Sequence, residues 1–160
     1  MTARPRSGRR SATTAERVRV LVKRLDDGLP RPAYARAGDA GLDLRAVRDV
    51  TIDAGGRTTV GTGLAVAIPA GFAGFVLPRS GLARDHGVSV LNTPGLIDAG
   101  YRGEVQVILV NHDPVQSVTL ARGERIAQLV IQRVAHAELV TVDELPSSER
   151  GPGGFGSTGR

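Results

Sequence analysis

Glycine and proline cut this sequence into runs too short for long helices, and that limits what it can fold into. Its 160 residues include 21 glycines and 9 prolines. They gather in turn-forming combinations such as Gly55-Gly56, Pro69-Ala70-Gly71, Pro94-Gly95, Asp113-Pro114 and Arg122-Gly123. Between them lie short apolar or alternating stretches. Val18, Val20 and Val22 alternate with Arg19, Leu21 and Lys23, the period of a strand. Further strands are predicted at Leu42–Ala46, Arg57–Val60, Leu64–Ile68, Phe72–Leu77, Val88–Leu91, Val105–Val110, Val118–Leu120, Ile126–Val134 and Glu138–Val142. Short strands with turn signals every roughly 8–12 residues predict an all-β fold, a jelly-roll-like sandwich or barrel. One short helix is predicted after Ser80, with Ser80 as its N-cap.

The run Val105-Gln106-Val107-Ile108-Leu109-Val110 is largely apolar at both odd and even positions, so burial on both faces is predicted. Either the second layer of a sandwich or another subunit covers its second face. The length suits one domain able to bury roughly 70% of its unfolded surface. There is no cysteine, which excludes disulfides and thiolate metal sites and is compatible with a reducing compartment. No apolar stretch approaches the roughly 20 residues that span a bilayer, so no membrane association is expected. The arginine-rich N-terminus lacks the apolar core of a secretory signal, and a cytoplasmic location is expected.

The net charge of +5 is unevenly placed. Residues 1–24 hold eight basic residues and one acid, and the other 136 carry a net −2. The basicity is therefore mostly a tail. Residues 1–16 are expected to be a disordered extension, and the other reading is non-specific attraction to nucleic acid. Aromatics make up 3% of the chain, too few for stacking platforms, and no specific nucleic-acid partner is expected. Two of the aromatics sit near or between glycines: Tyr101 in Ala99-Gly100-Tyr101-Arg102-Gly103, and Phe155 in Gly154-Phe155-Gly156. Both are candidates for lying against a flat ligand. A β domain over 17–142 and a linker with a glycine-rich arm over 143–160 complete the expected organisation.

Three segments carry candidate chemistry. Asp98, in Leu96-Ile97-Asp98-Ala99-Gly100, follows an apolar strand end. It is either a general base that orients water or a turn aspartate bonded to its own backbone. Pro78-Arg79-Ser80-Gly81 places a guanidinium, a hydroxyl and a backbone N–H where a helix opens. That suits a phosphate, and equally an ordinary capped helix with a surface arginine. Residues 150–159 hold one arginine, five glycines, two hydroxyls and Phe155, without the Gly-Lys-Ser/Thr of a P-loop. They either fold over a nucleotide or form a low-complexity tail.

Five segments, in order, resemble the signature motifs of the trimeric dUTPase family, bacterial type. They are Ala40-Gly41-Leu42-Asp43-Leu44-Arg45-Ala46, Pro78-Arg79-Ser80-Gly81-Leu82-Ala83, the stretch from Asn92 to Asn111, Arg122-Gly123-Glu124-Arg125-Ile126-Ala127-Gln128-Leu129, and Arg150 to Gly159. The resemblance covers residues 18–160. It implies a jelly-roll subunit in a homotrimer, with active sites at subunit interfaces and the arm of one subunit closing a site built by its neighbours. It implies hydrolysis of dUTP to dUMP and pyrophosphate, which limits uracil incorporation into DNA and supplies dUMP for thymidylate synthesis. By position, Asn92 and the hairpin through Leu96, Ile97 and Tyr101 resemble the uracil and deoxyribose site. Asp98, with Gln128, resembles the pair that holds the attacking water. Arg79, Ser80, Gly81 and Gln106 correspond to phosphate contacts. Arg150, Ser157 and Thr158 reach the terminal phosphate, Phe155 covers the uracil, and Gly156 belongs to the same substrate-binding set. Mg²⁺ is expected mainly on the triphosphate and its waters, with Asp43 either touching that shell through water or serving a turn. His86, His112 and His136 are scattered without ligand spacing, so no protein-built metal site is expected. Pro152 stiffens the arm and departs from the family pattern. A dCTP deaminase of the same fold and a nucleotide-sensing domain without turnover are the competing readings.

Overall fold

The computed structural model describes residues 17–153. Among them the elements run β1 (Leu21–Arg24), β2 (Leu42–Arg45), β3 (Val50–Ile52), β4 (Arg57–Ala67), β5 (Phe72–Leu77), α1 (Ser80–His86), β6 (Val88–Val90), β7 (Gly95–Ile97), β8 (Glu104–Asn111), β9 (Val118–Leu120) and β10 (Arg125–Arg133). Two four-stranded sheets, ordered β1-β4-β8-β6 and β2-β10-β5-β7, are joined by the pair β3-β9. Every strand pairing is antiparallel. Val60, Val66, Val107 and Leu109 from the first sheet and Leu44, Val76, Ile126 and Leu129 from the second share one buried cluster. The all-β prediction holds because strand-period side chains from both sheets meet in one interior.

The segments predicted at Arg57–Val60 and Leu64–Ile68 are one strand. Gly61-Thr62-Gly63 does not break β4 but bulges it, with a register shift against β8 between Gly61 and Ala65. Gly63 takes φ 68° at the bulge, a conformation that glycine adopts without steric cost. Glu104 fills the gap by accepting the Gly63 N–H at 2.8 Å, and the Thr62 hydroxyl donates to the Val105 carbonyl at 2.6 Å.

Other expectations needed correction. Ser80 is not the N-cap of α1: Arg79 holds that position in extended conformation, with no side-chain cap. The extended path of β5 continues through Pro78 into Arg79, and Ser80 is already the first helical residue, so the helix begins one residue earlier than a serine cap requires. Glu138–Val142 forms no strand, and Leu139 is 92% exposed. An isolated strand has no ladder to offset the cost of its ordering, and no strand among the described residues pairs with that segment. Within one chain β8 buries Val105, Val107 and Leu109 on one face, while Ile108 and Val110 on the other are half-buried and Gln106 is exposed, which leaves that second face for coverage by another subunit. Two three-residue strands, β3 and β7, were too short to show a period. β7 also changes the predicted hairpin: it pairs with β5, whereas β6 and β8 pair in the other sheet. Residues 92–104 are thus a corner between sheets.

Candidate functional site

The corner exposes an aspartate at its turn. Gly95 lets β7 approach β5 closely, since a Cβ there would lie 3.3 Å from both Val76 Cβ and Asn92 Nδ2. β7 then ends at buried Ile97, and the Tyr101 N–H donates to the Asp98 carbonyl at 3.0 Å to close the turn. Arg102 braces it with hydrogen bonds of 2.6 Å to the carbonyls of Ala99 and Tyr101. The turn is therefore closed by main chain, and the Asp98 carboxylate makes no hydrogen bond or ion pair among the described residues. A turn aspartate bonded to its own backbone is not what this structure contains. Asp98 faces solvent at a cavity of about 180 Å³ lined also by Leu96, Ile97, Tyr101, Glu104 and Gln106. Asn92 lies against Gly95 rather than in that lining.

A second group gathers where β2, β10 and the end of β5 run side by side. Gln128 on β10 is in register with Asp43 on β2 and Leu77 on β5. Its side chain passes over Gly41, where a Cβ would come within 3.1 Å of Gln128 Cβ and 3.2 Å of Cδ. Asp43 is 11% exposed at the side chain and sits between two guanidiniums. Its Oδ2 accepts from Arg125 Nη1 at 3.3 Å, and its Oδ1 lies 3.6 Å from Arg79 Nε. Arg79 also donates to the Arg125 carbonyl at 3.1 Å. Burial, and then the charge of Arg125, pull Arg79 below the ordinary guanidinium value, while Asp43 pulls the other way. It stays a cation throughout the working range. Arg79 opens onto a cavity of about 650 Å³ with Arg45, Arg122, Arg125 and Glu124 on its walls. Ser80 is exposed, and the space around Gly81 is open.

The chain therefore holds two separate groups of candidate site residues. Leu96, Ile97, Asp98, Tyr101 and Gln106 share one cavity; Asp43 touches Arg79, and Gln128 lies beside them in the sheet. Neither cavity draws its walls from both groups. Arg150 stands apart from each, with its Nε donating to the Gly153 carbonyl at 2.9 Å. Phe155, Gly156, Ser157 and Thr158 lie outside the described residues. Among the described residues no group of three or more metal-ligating side chains occurs. One atom fits an outer-shell role: Asp43 Oδ1 is buried without a hydrogen-bond partner, and it could accept from a metal-bound water. Sequence reasoning assigned nothing to Arg125 or Glu104. Arg125 stood inside a quoted motif, and Glu104 was legible only as a charge at the head of an apolar strand.

The dUTPase family profile matches residues 28–159. The deoxyuridine 5'-triphosphate nucleotidohydrolase of Thermobifida fusca is 60% identical over 142 residues, covering 89% of this chain and 79% of that protein. The enzyme of the same name from Corynebacterium efficiens is 51% identical over 158 residues, covering 99% and 86%. Among solved structures, a mutant dUTPase of Staphylococcus bacteriophage 80alpha with dUpNHpp superposes with a TM-score of 0.81 at 30% identity, covering 89% of this chain and 99% of that one. A mutant dUTPase of phage phi11 of S. aureus, described for its coordination of a structural Mg(II) ion, shares the fold at a TM-score of 0.73 and 24% identity, covering 79% and 97%.

Proposed function

The chain belongs to the dUTPase family, and on that premise we propose that it hydrolyses dUTP to dUMP and pyrophosphate with Asp98 as the base. The observation that carries this reading is the Asp98 carboxylate: exposed at a cavity mouth and without a partner among the described residues. A water held by Asp98 and Gln128 attacks the α-phosphorus in line. The new O–P bond forms as the bond to the bridging oxygen of the β-phosphate breaks, pyrophosphate leaves, and the water's proton passes to Asp98. Arg79, Ser80, Gly81 and Gln106 bind phosphate oxygens, and the guanidinium of Arg79 takes two at once. Asp43, whose Oδ1 lacks a hydrogen-bond partner, would accept a hydrogen bond from a water of a Mg²⁺ carried by the triphosphate, an ion that would supply charge neutralisation when bound.

Substrate choice belongs to the corner. Uracil presents an N3–H donor between two acceptors, and Asn92 with the backbone through Leu96 and Ile97 reads that edge. Cytosine inverts part of the pattern and leaves buried groups unpaired. Tyr101 lies under the deoxyribose.

The assembly is a homotrimer in this reading. Two features support it: the split of the candidate site residues into two groups within one chain, and the apolar Leu139, Val140, Val142 and Leu145, left exposed beyond β10. The arm from Arg150 through Phe155, Gly156, Ser157 and Thr158 closes a site on another subunit and excludes water. The setting is the cytoplasm, where the reaction lowers dUTP and supplies dUMP. Among the described residues, no helix is long and apolar enough to cross a membrane.

Pyrophosphate release from dUTP, dCTP, dTTP and UTP with Mg²⁺ tests the reading. Release from dUTP alone is expected; equal rates on all four, or none from dUTP, would sink it. Deamination of dCTP would transfer support to the competing enzyme.

A further inference from the structure

Gly103 has no role in the account above, and its backbone does not explain why it is glycine. It is absent from the positive-φ glycines of the chain. What requires glycine there is Tyr101. A Cβ on Gly103 would run into the Tyr101 hydroxyl and lie 2.7 Å from Cζ and 3.1 Å from Cε2. No methyl fits while the ring keeps this rotamer, and an exposed ring relieves such a clash by swinging away. The ring's far end is tied as well. Its hydroxyl donates to the Glu104 carbonyl at 2.9 Å. Glu104 is fixed in turn by the Gly63 N–H in the β4 bulge, and a Cβ at Gly61 would meet its Oε1 at 2.5 Å. One part of the phenol is thus seated on the chain, while Tyr101 as a whole remains 45% exposed and lines the Asp98 cavity.

We propose that Gly103 is a positioning residue for sugar selectivity: by lacking a Cβ it seats the Tyr101 ring as the wall that rejects a 2′-hydroxyl. The inference rests on the reading that Tyr101 lies under the deoxyribose. A wall excludes one extra oxygen only if it cannot retreat by about that oxygen's size. A tyrosine free to rotate makes no such wall, and one pinned at ring and hydroxyl does.

The test compares kcat/KM for dUTP and UTP in the wild type, Gly103→Ala and Tyr101→Ala. In Gly103→Ala, dUTP turnover falls several-fold at most, and the dUTP-to-UTP ratio drops by about tenfold or more. A merely structural defect lowers both substrates together and leaves the ratio intact. A spectroscopic readout accompanies it. The chain has two tyrosines and no tryptophan, so Tyr34→Phe leaves Tyr101 as the sole emitter. Its response to added dUMP is expected to weaken when Gly103→Ala is introduced. A collapsed ratio in Tyr101→Ala beside an unchanged one in Gly103→Ala overturns the role of Gly103 and leaves the sugar reading standing. Unchanged ratios in both overturn the sugar reading, and the inference with it. If Gly103→Ala does not fold, the double variant with Tyr101→Ala decides: recovery of folding supports a clash with the ring, and continued failure overturns it.

Discussion

Asp98 and Asp43 are both acids beside the predicted phosphate path, and the fold treats them oppositely. Asp98 follows a short strand at the sheet corner, exposed and unpaired among the described residues, its turn closed by main-chain atoms. Asp43 sits mid-strand on β2, enclosed between Arg79 and Arg125. A carboxylate held in ion pairs with two guanidiniums is fixed in place and has little freedom to reorient a water, whereas one without a protein partner is free to do so. Asp43 is instead suited to hold Arg79 in place for phosphate and to offer its one spare oxygen.

The comparison breaks first at Asp98. Asp98→Asn is expected to lower turnover by about two orders of magnitude or more while retaining dUTP binding, measured by pyrophosphate release and by calorimetric titration. Normal turnover would mean that exposure alone misidentified the base. Next in size is removal of the arm. Truncation after Glu149 is expected to cut turnover by about tenfold or more, equivalent to about 1.4 kcal/mol of barrier. Light scattering is expected to show an intact trimer, and a monomer would show that the arm holds the assembly rather than closing the site.

Asp43→Ala sharpens the other half. It leaves two arginines facing one another, and a loss of about 1–3 kcal/mol of stability is expected from denaturant unfolding. Unchanged stability with weakened Mg²⁺ dependence would shift Asp43 from holding arginine to serving the ion.

The smallest effect concerns a third aspartate, which pairs with Arg122 on the wall of the Arg79 cavity. Asp26 is held down from the ordinary 3.8 to about 2, first by its hydrogen bond to Arg122 and next by the Gly28 N–H. Its folded pKa lies below the unfolded one. Its contribution is therefore present above about pH 4 and is lost as the pH falls toward 2. Asp26→Asn is expected to flatten the pH dependence of stability in that window, and an unaltered acid limb would assign the slope to other carboxylates.

Much of the fold was legible because strand period and turn residues are local properties. Phe72–Leu77 and Val118–Leu120 were read at their observed bounds. The misreadings arose where a partner strand decides. Gly61 and Gly63 look like a break but form a bulge once Glu104 fills the gap. The apolar run at Glu138–Val142 has strand composition and no ladder. Ser80 has the chemistry of a cap, yet the incoming strand places Arg79 there. For the candidate site, residue types and order pointed to Asp98, Tyr101, Arg79 and Gln128, but not to Arg125 or Gly103, whose contacts depend on what lies across the fold.

From its sequence alone, this protein has its strand content, its turn positions and its family, since all three reside in residue order. Tertiary structure alone decided that Asp98 is free and Asp43 engaged. Both are aspartates after apolar residues in turn-rich surroundings. The difference arises because the antiparallel pairing of β10 with β2, which sets Arg125 against Arg45, brings the Arg125 guanidinium within reach of the Asp43 carboxylate, and a main-chain hydrogen bond relieves Asp98 of closing its own turn.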